Sequence, residues 1–200
     1  MARRGPVDER DPLIRVGVVD HGMGNLRSVA KALEAAGATV ELVSDTGSLV
    51  TCDKLCVPGQ GIFGRCASNL RSSGLDEAIV SWVERGRPYL GICLGMQVLF
   101  ESSDERGPVD GLGVVRGRVT RLSGPVRVPH IGWNQVDDDY YYFDHSYAVH
   151  PADDEVVTGW CDHGERFAAR VETGSILGVQ FHPEKSAAAG LALLEGWVAS

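Results

Sequence analysis

The sequence predicts an α/β fold: a central, mostly parallel sheet flanked by helices, with an antiparallel second half. Three observations predict it. A β-α-β pattern fills the stretch from Leu13 to Val43. Short apolar strands run into glycine-bearing corners at Pro58-Gly59-Gln60-Gly61 and at Gly91-Ile92-Cys93-Leu94-Gly95. Beyond residue 110 the texture changes to short valine-containing stretches interleaved with arginines and frequent turn residues. Strands alternating with helices imply a parallel sheet with covering helices, whereas short strands broken by turns imply hairpins.

Residues 1–12, with Pro6, Pro12 and mixed charge, read as an extension. Residues 13–200 read as a single domain, because no Pro/Gly/Ser-rich linker divides them. Leu13-Ile14-Arg15-Val16-Gly17-Val18-Val19 reads as a buried strand. Leu26, Val29, Ala30 and Leu33 share one helix face, and Gly37 is placed to end that helix. Thr39 to Val43 and Lys54 to Val57 are the next strands. A helix is predicted over 75–85, with Leu75, Ile79, Trp82 and Val83 on one side. Pro88 to Ile92 is a strand that runs straight into Cys93 and a helical stretch to about Phe100. Hairpins follow residue 110. Ser175 to Phe181 reads as the last strand and Glu184 to Val198 as a terminal helix.

Hydrophobic residues make up 44% and charged residues 23% of the 200. That is globular composition and excludes a disordered, collagen-like or coiled-coil chain. No apolar run approaches the roughly 20 residues of a membrane helix. Met1-Ala2-Arg3-Arg4 is followed by Asp8 and Glu9 instead of an apolar stretch, so no secretion signal is expected and a cytoplasmic location is. With 27 acidic and 19 basic side chains the net charge is −8, which disfavours nucleic acid as a partner. Five cysteines, an odd number, point to free thiols and not to a disulfide framework.

The strongest chemical signal is Gly91-Ile92-Cys93-Leu94-Gly95. A tight strand-to-helix turn flanked by glycines projects its central side chain at the carboxyl edge of a sheet. The helix N-terminus that follows favours a thiolate, and the Leu94 amide is placed to bind an oxyanion. A buried, inert cysteine whose glycines serve only packing would show the same five residues. Near the other end stands Gln180-Phe181-His182-Pro183-Glu184. A cysteine nucleophile needs a base, and the base an orienting partner. In extended chain His182 and Glu184 project to the same side, and Pro183 keeps His182 out of helical geometry. Cys93, His182 and Glu184 therefore form a candidate triad.

Other features carry less. Gly22-Met23-Gly24 lacks the third glycine of a dinucleotide fingerprint, since Arg27 stands there. Cys161-Asp162-His163, read as a surface turn, and Cys52 with Cys56 do not match paired zinc spacings. Cys56 fits a core strand, while Cys52 and Cys66 fall in expected loops. Asp137-Asp138-Asp139 reads as an acidic hairpin tip. His21 and His150 read as solvent-facing loop residues. No metal site is expected.

With Met96 and Gln97 added, the cysteine corner and His182-Pro183-Glu184 together resemble the class I (triad) glutamine amidotransferase family, over nearly the whole chain from Ile14. Four segments resemble its branch of imidazole glycerol phosphate synthase glutaminase subunits, from histidine biosynthesis. They are Gly22 to Leu26, Val128 to Asn134, His145-Ser146-Tyr147 and Gly178 to Ser186. The resemblance implies Cys93 as nucleophile, His182 as base and Glu184 as its orienter. It implies Gly59, Gln60 and Gly61 as an oxyanion strand, with Leu94 beside them. Gln97, His145, Ser146 and Tyr147 would hold L-glutamine. Asn25, Trp133, Tyr147 and Lys185 would face a (βα)8-barrel synthase (cyclase) subunit in a heterodimer, and the ammonia passage to it. No cofactor is implied. Gln60 stands where the family often has valine, and Asp144 replaces a usual apolar residue. Met96 and the His145-Ser146-Tyr147 segment argue against the anthranilate and aminodeoxychorismate systems. A paralogue feeding nucleotide-sugar synthesis, a non-catalytic partner-binding subunit and a stand-alone cysteine hydrolase remain as alternatives.

Overall fold

The computed structural model describes residues 14–200; the expected extension 1–12 and Leu13 lie outside the described residues. The first half comprises β1 (Arg15–Val19), α1 (Leu26–Ala35), β2 (Thr39–Val43), β3 (Lys54–Val57), α2 (Phe63–Ser73), α3 (Leu75–Glu84), β4 (Tyr89–Ile92) and the short α4 (Leu94–Gln97). β1 pairs in parallel with β2 and β3, and β3 with β4. Lys54 to Val57 and Tyr89 to Ile92 are buried throughout, as strands covered on both faces must be. α1 begins at Asn25, whose side-chain oxygen accepts from the Ser28 amide at 3.3 Å, and turns Val29 and Leu33 inward. Gly37 ends it with a φ of 95°.

Two elements differ from the sequence expectations. α2 has no counterpart among them, although Phe63, Cys66, Ala67 and Leu70 fall at helical spacing and are all buried. Gly74, at φ 70°, closes it. The helix after Cys93 ends at Gln97 instead of Phe100. Leu99 and Phe100 are fully buried, and Phe100 to Ser103 forms β5, paired with β6 (Val109–Asp110) and β7 (Val115–Arg121). A neighbouring strand offers these residues both hydrogen bonds and burial, and that tertiary pairing overrides local preference.

The second half is antiparallel for the most part. β8 (His130–Val136) and β9 (Asp139–His145) form a hairpin that turns at Asp137-Asp138, the expected acidic tip. β10 (Tyr147–Pro151) lies against β7, and β11 (Val157–His163) against β12 (Glu165–Thr173). β13 (Ile176–Val179) is antiparallel to β12 and parallel to β4. The main sheet thus has the order β11-β12-β13-β4-β3-β1-β2; β10-β7-β5-β6 make a second sheet. A 3-10 turn over Pro183–Lys185 precedes α5 (Ala187–Ala199), so the terminal helix starts three residues later than expected. No helix among the described residues is long and apolar enough to cross a membrane.

All five cysteines are free and buried. Cys66 sits on the inner face of α2 and not in a loop, whereas Cys52 does lie in the loop before β3, with its side chain packed in the core. Cys161 is in β11, not a surface turn. His21 is 3% exposed and donates from Nε2 to the Pro58 carbonyl at 2.7 Å. His150 is half-buried in β10. Both depart from the solvent-facing expectation.

The central strands β3, β4 and β13 run in parallel, so their carboxyl ends share one edge of the sheet. Pro58 to Gly61, Cys93 and His182 leave from those ends, where open α/β sheets build their sites.

Candidate active site

Cys93 joins β4 to α4 with φ 51° and ψ −104°, a positive φ that a non-glycine residue rarely adopts. Its amide donates to the Val179 carbonyl at 2.7 Å, which ties the corner to β13. A Cβ at Gly91 would lie 2.7 Å from the Gly95 carbonyl oxygen, and one at Gly95 would overlap the Val57 carbonyl. The glycines are thus required by packing, and the same packing holds the cysteine in its strained turn. α4 has a single turn, so the dipole behind the thiol is shorter than the sequence suggested.

His182 and Glu184 meet as the spacing predicts. Nδ1 of His182 donates to Glu184 Oε1 at 2.8 Å, and both side chains are 2% exposed. The His182 amide donates to the Tyr142 carbonyl at 2.8 Å, and the Ser186 hydroxyl donates to the His182 carbonyl at 2.6 Å. Nε2 is left without a hydrogen-bond partner. Burial opposes a charged imidazole, but Cys93 and Glu184 together outweigh it, and the His182 pKa is pushed up to about 10.

A cavity of about 410 Å³ opens beside Cys93. Gln60, Gly61, Leu94, Gln97, His145, Ser146 and Tyr147, all expected from the sequence, line it with Cys93. Gly59 is not on its wall; it lies under Leu94, where a Cβ would come within 2.6 Å of the leucine Cβ. The Leu94 amide, expected as a free oxyanion donor, instead points to the Gly59 carbonyl at 3.4 Å. Glu105 and Asp144 supply negative charge to the wall. Glu105 was not a sequence candidate. Its Oε2 accepts from the Phe63 amide at 2.7 Å, at the start of α2. The two departures from the family pattern touch: Gln60 Nε2 lies 3.5 Å from Asp144 Oδ2, and Lys185 Nζ lies 3.7 Å from that same oxygen.

Behind the wall the polar side chains form a directed chain. The Tyr147 carbonyl can only accept, so His145 Nδ1, 2.9 Å away, carries the proton. His145 Nε2 then accepts from His130 Nδ1 at 3.0 Å, and His130 Nε2 accepts from the Asn134 side-chain Nδ2 at 3.3 Å. Burial drives the His145 pKa down to about 3 and that of His130 to about 4, helped by the neighbouring histidines. An unfolded histidine takes up its proton near pH 6.5, whereas folded His145 does not. Stability is therefore expected to fall as pH drops from about 6.5 towards 3. His145 alone accounts for on the order of 2 kcal/mol between pH 7 and pH 5. Urea midpoints at the two pH values measure this, and His145→Gln is expected to reduce the difference, with His130 keeping its own share.

Of the residues expected at a partner surface, Trp133 is 54% exposed on β8 and packs edge-on to Tyr142, and Lys185 lies over the same tyrosine ring. Exposed Asn25 stands apart, as the cap of α1. Among the described residues no group of three or more His, Cys, Asp or Glu is placed to hold a metal ion.

The family model described as glutamine amidotransferase class-I matches residues 17–197. The chain is 43% identical over 195 residues to "Imidazole glycerol phosphate synthase subunit HisH" of Moorella thermoacetica, covering 91% of this chain and 93% of that one. It is 44% identical to the protein of the same name from Aquifex aeolicus, over 92% and 96%. "Imidazole glycerol phosphate synthase hisHF, chloroplastic" of Arabidopsis thaliana is 42% identical, over 90% of this chain and 33% of that one. Among solved structures, "Crystal structure of glutamine amidotransferase" is similar in fold, with a TM-score of 0.74 at 22% identity, covering 92% of this chain and 99% of that one.

Proposed function

The chain belongs to the class I glutamine amidotransferase family, in the branch of imidazole glycerol phosphate synthase HisH subunits, and we propose that it releases ammonia from glutamine for a synthase subunit in histidine biosynthesis. The observation that carries the reading is the convergence of Cys93, His182 and Glu184 at one sheet edge, beside a cavity that suits a small amino acid.

In this reading the Cys93 thiolate attacks the carboxamide carbon of glutamine. His182, held through Nδ1 by Glu184, gives a proton to the leaving ammonia and then activates the water that hydrolyses the thioester. Glu105 keeps Oε1 available to the substrate ammonium while Oε2 stays with Phe63. Gln60, Ser146 and Tyr147 hold the rest of the molecule. Completing the oxyanion site requires the Gly59-Gln60 peptide to rotate, replacing its carbonyl with an N–H and releasing the Leu94 amide.

That requirement supports control by a partner. The Trp133, Tyr142 and Lys185 patch is the proposed docking surface for a (βα)8-barrel synthase subunit that receives the ammonia, with Asn25 and Tyr147 towards the same partner. The Arabidopsis relative, in which the match occupies a third of one longer chain named for the synthase, agrees with such an arrangement. Glutamate release with and without the partner tests the proposal.

A further inference from the structure

We propose that Gln180 is a positioning residue for the nucleophile: its side-chain amide donates to the Cys93 sulfur, holds the thiolate in place and favours its ionised form. The proposal rests on Cys93 being the nucleophile. The Gln180 side chain is fully buried between β13 and His182, and its Nε2 lies 3.4 Å from Cys93 Sγ.

The polarity of that contact is fixed from a distance. Gln97 Nε2 donates to the Tyr147 carbonyl at 2.8 Å and to Gln180 Oε1 at 3.0 Å. The carbonyl cannot donate, so the amide nitrogen of Gln97 must face it. The same NH2 group then faces Gln180, which must answer with its oxygen. Gln180 is left with its own NH2 directed at the sulfur. Reversing either amide would set donor against donor or acceptor against acceptor in a buried site, at a large penalty.

The sulfur benefits from such a donor. α4 is one turn long, and the Leu94 amide is turned to Gly59. A fixed N–H donor stabilises a thiolate over a thiol and lowers the pH at which it forms. A side chain needed only for packing would be apolar here, since burying a primary amide requires partners for both of its ends.

The test is the pH dependence of Cys93 alkylation by iodoacetamide on the full chain, in wild type, Gln180→Met and Gln180→Glu. Of the five cysteines only Cys93 lines the cavity, and burial pushes Cys66 and Cys161 up to about 12, so alkylation through the cavity reports Cys93. Methionine keeps the volume without a donor. Glutamate keeps the acceptor for Gln97 and replaces the donor. The half-alkylation pH is expected to rise by about one unit in Gln180→Met and further in Gln180→Glu, with kcat down about tenfold and KM little changed. In the wild-type chain the Gln180 side-chain NH2 resonance is expected to titrate with the same midpoint as alkylation. An NH2 resonance that stays flat across that midpoint overturns the proposal, whatever the variants do. So does a folded variant with the wild-type alkylation profile. Full glutaminase activity in Cys93→Ala would instead overturn the nucleophile assignment, a different and separately visible failure.

Discussion

Cys93→Ala is expected to reduce glutamate release by at least about 10⁴-fold while leaving the fold intact. No other cysteine lines the cavity, and no other nucleophilic side chain stands at the corner between β4 and α4. The substitution removes one sulfur from a turn held by backbone contacts at Gly91, Gly95 and Val179. The urea midpoint therefore moves little, and affinity for the synthase partner is kept. Glutamate release and the unfolding curve, measured on the same preparation, separate lost chemistry from lost structure. Residual activity within tenfold of wild type would contradict the role of Cys93.

Glu184→Gln is the second large effect. Glu184 does not line the cavity; it acts on His182 through the 2.8 Å bond to Nδ1. A glutamine side chain removes the charge and can present its NH2 to the ring, favouring the wrong tautomer. A comparable change in a serine protease triad costs about 10⁴-fold in kcat. We expect a loss of about 10²- to 10⁴-fold in kcat here, with KM nearly constant. The direction of the pH effect follows from the cause of the pKa. Glu184 helps raise His182 to about 10. Its removal lowers that value, so the alkaline limb of kcat, where the general acid loses its proton, moves to lower pH. A change confined to KM would contradict the assignment.

Much of this was legible in the sequence. β2 and β3 have the predicted bounds, because each is a short apolar run closed by turn residues. The cysteine corner was legible because two glycines flanking a cysteine after an apolar strand mark a tight turn whatever they pack against, and the His182–Glu184 pair because a two-residue spacing leaves little freedom. What escaped depends on contacts between distant segments. Val98-Leu99-Phe100 is an apolar run too short for periodicity to distinguish helix from strand; pairing with β7 decides it. α2 carries buried residues at helical spacing, but Gly64 and its serines and arginines dilute the signal. Glu105 and Gln180 are placed by contacts with Phe63, Gln97 and Cys93, which lie far from them in sequence. The direction of the Gly59 carbonyl is a state of one peptide unit, and no residue type encodes it.

The most direct test of the account is the rate of glutamate release from L-glutamine, measured for the chain alone, with its synthase subunit, and with that subunit bound to its nucleotide ligand. The structure leaves the Leu94 amide engaged by the Gly59 carbonyl. Losing one oxyanion donor costs about 10²- to 10³-fold. The chain alone should therefore be slow, and the liganded partner should raise the rate by at least about 10²-fold in a manner that depends on Cys93. High activity without the partner would contradict the account and indicate an independent cysteine hydrolase. No activity in any of the three states would contradict it as well, and would leave a partner-binding role.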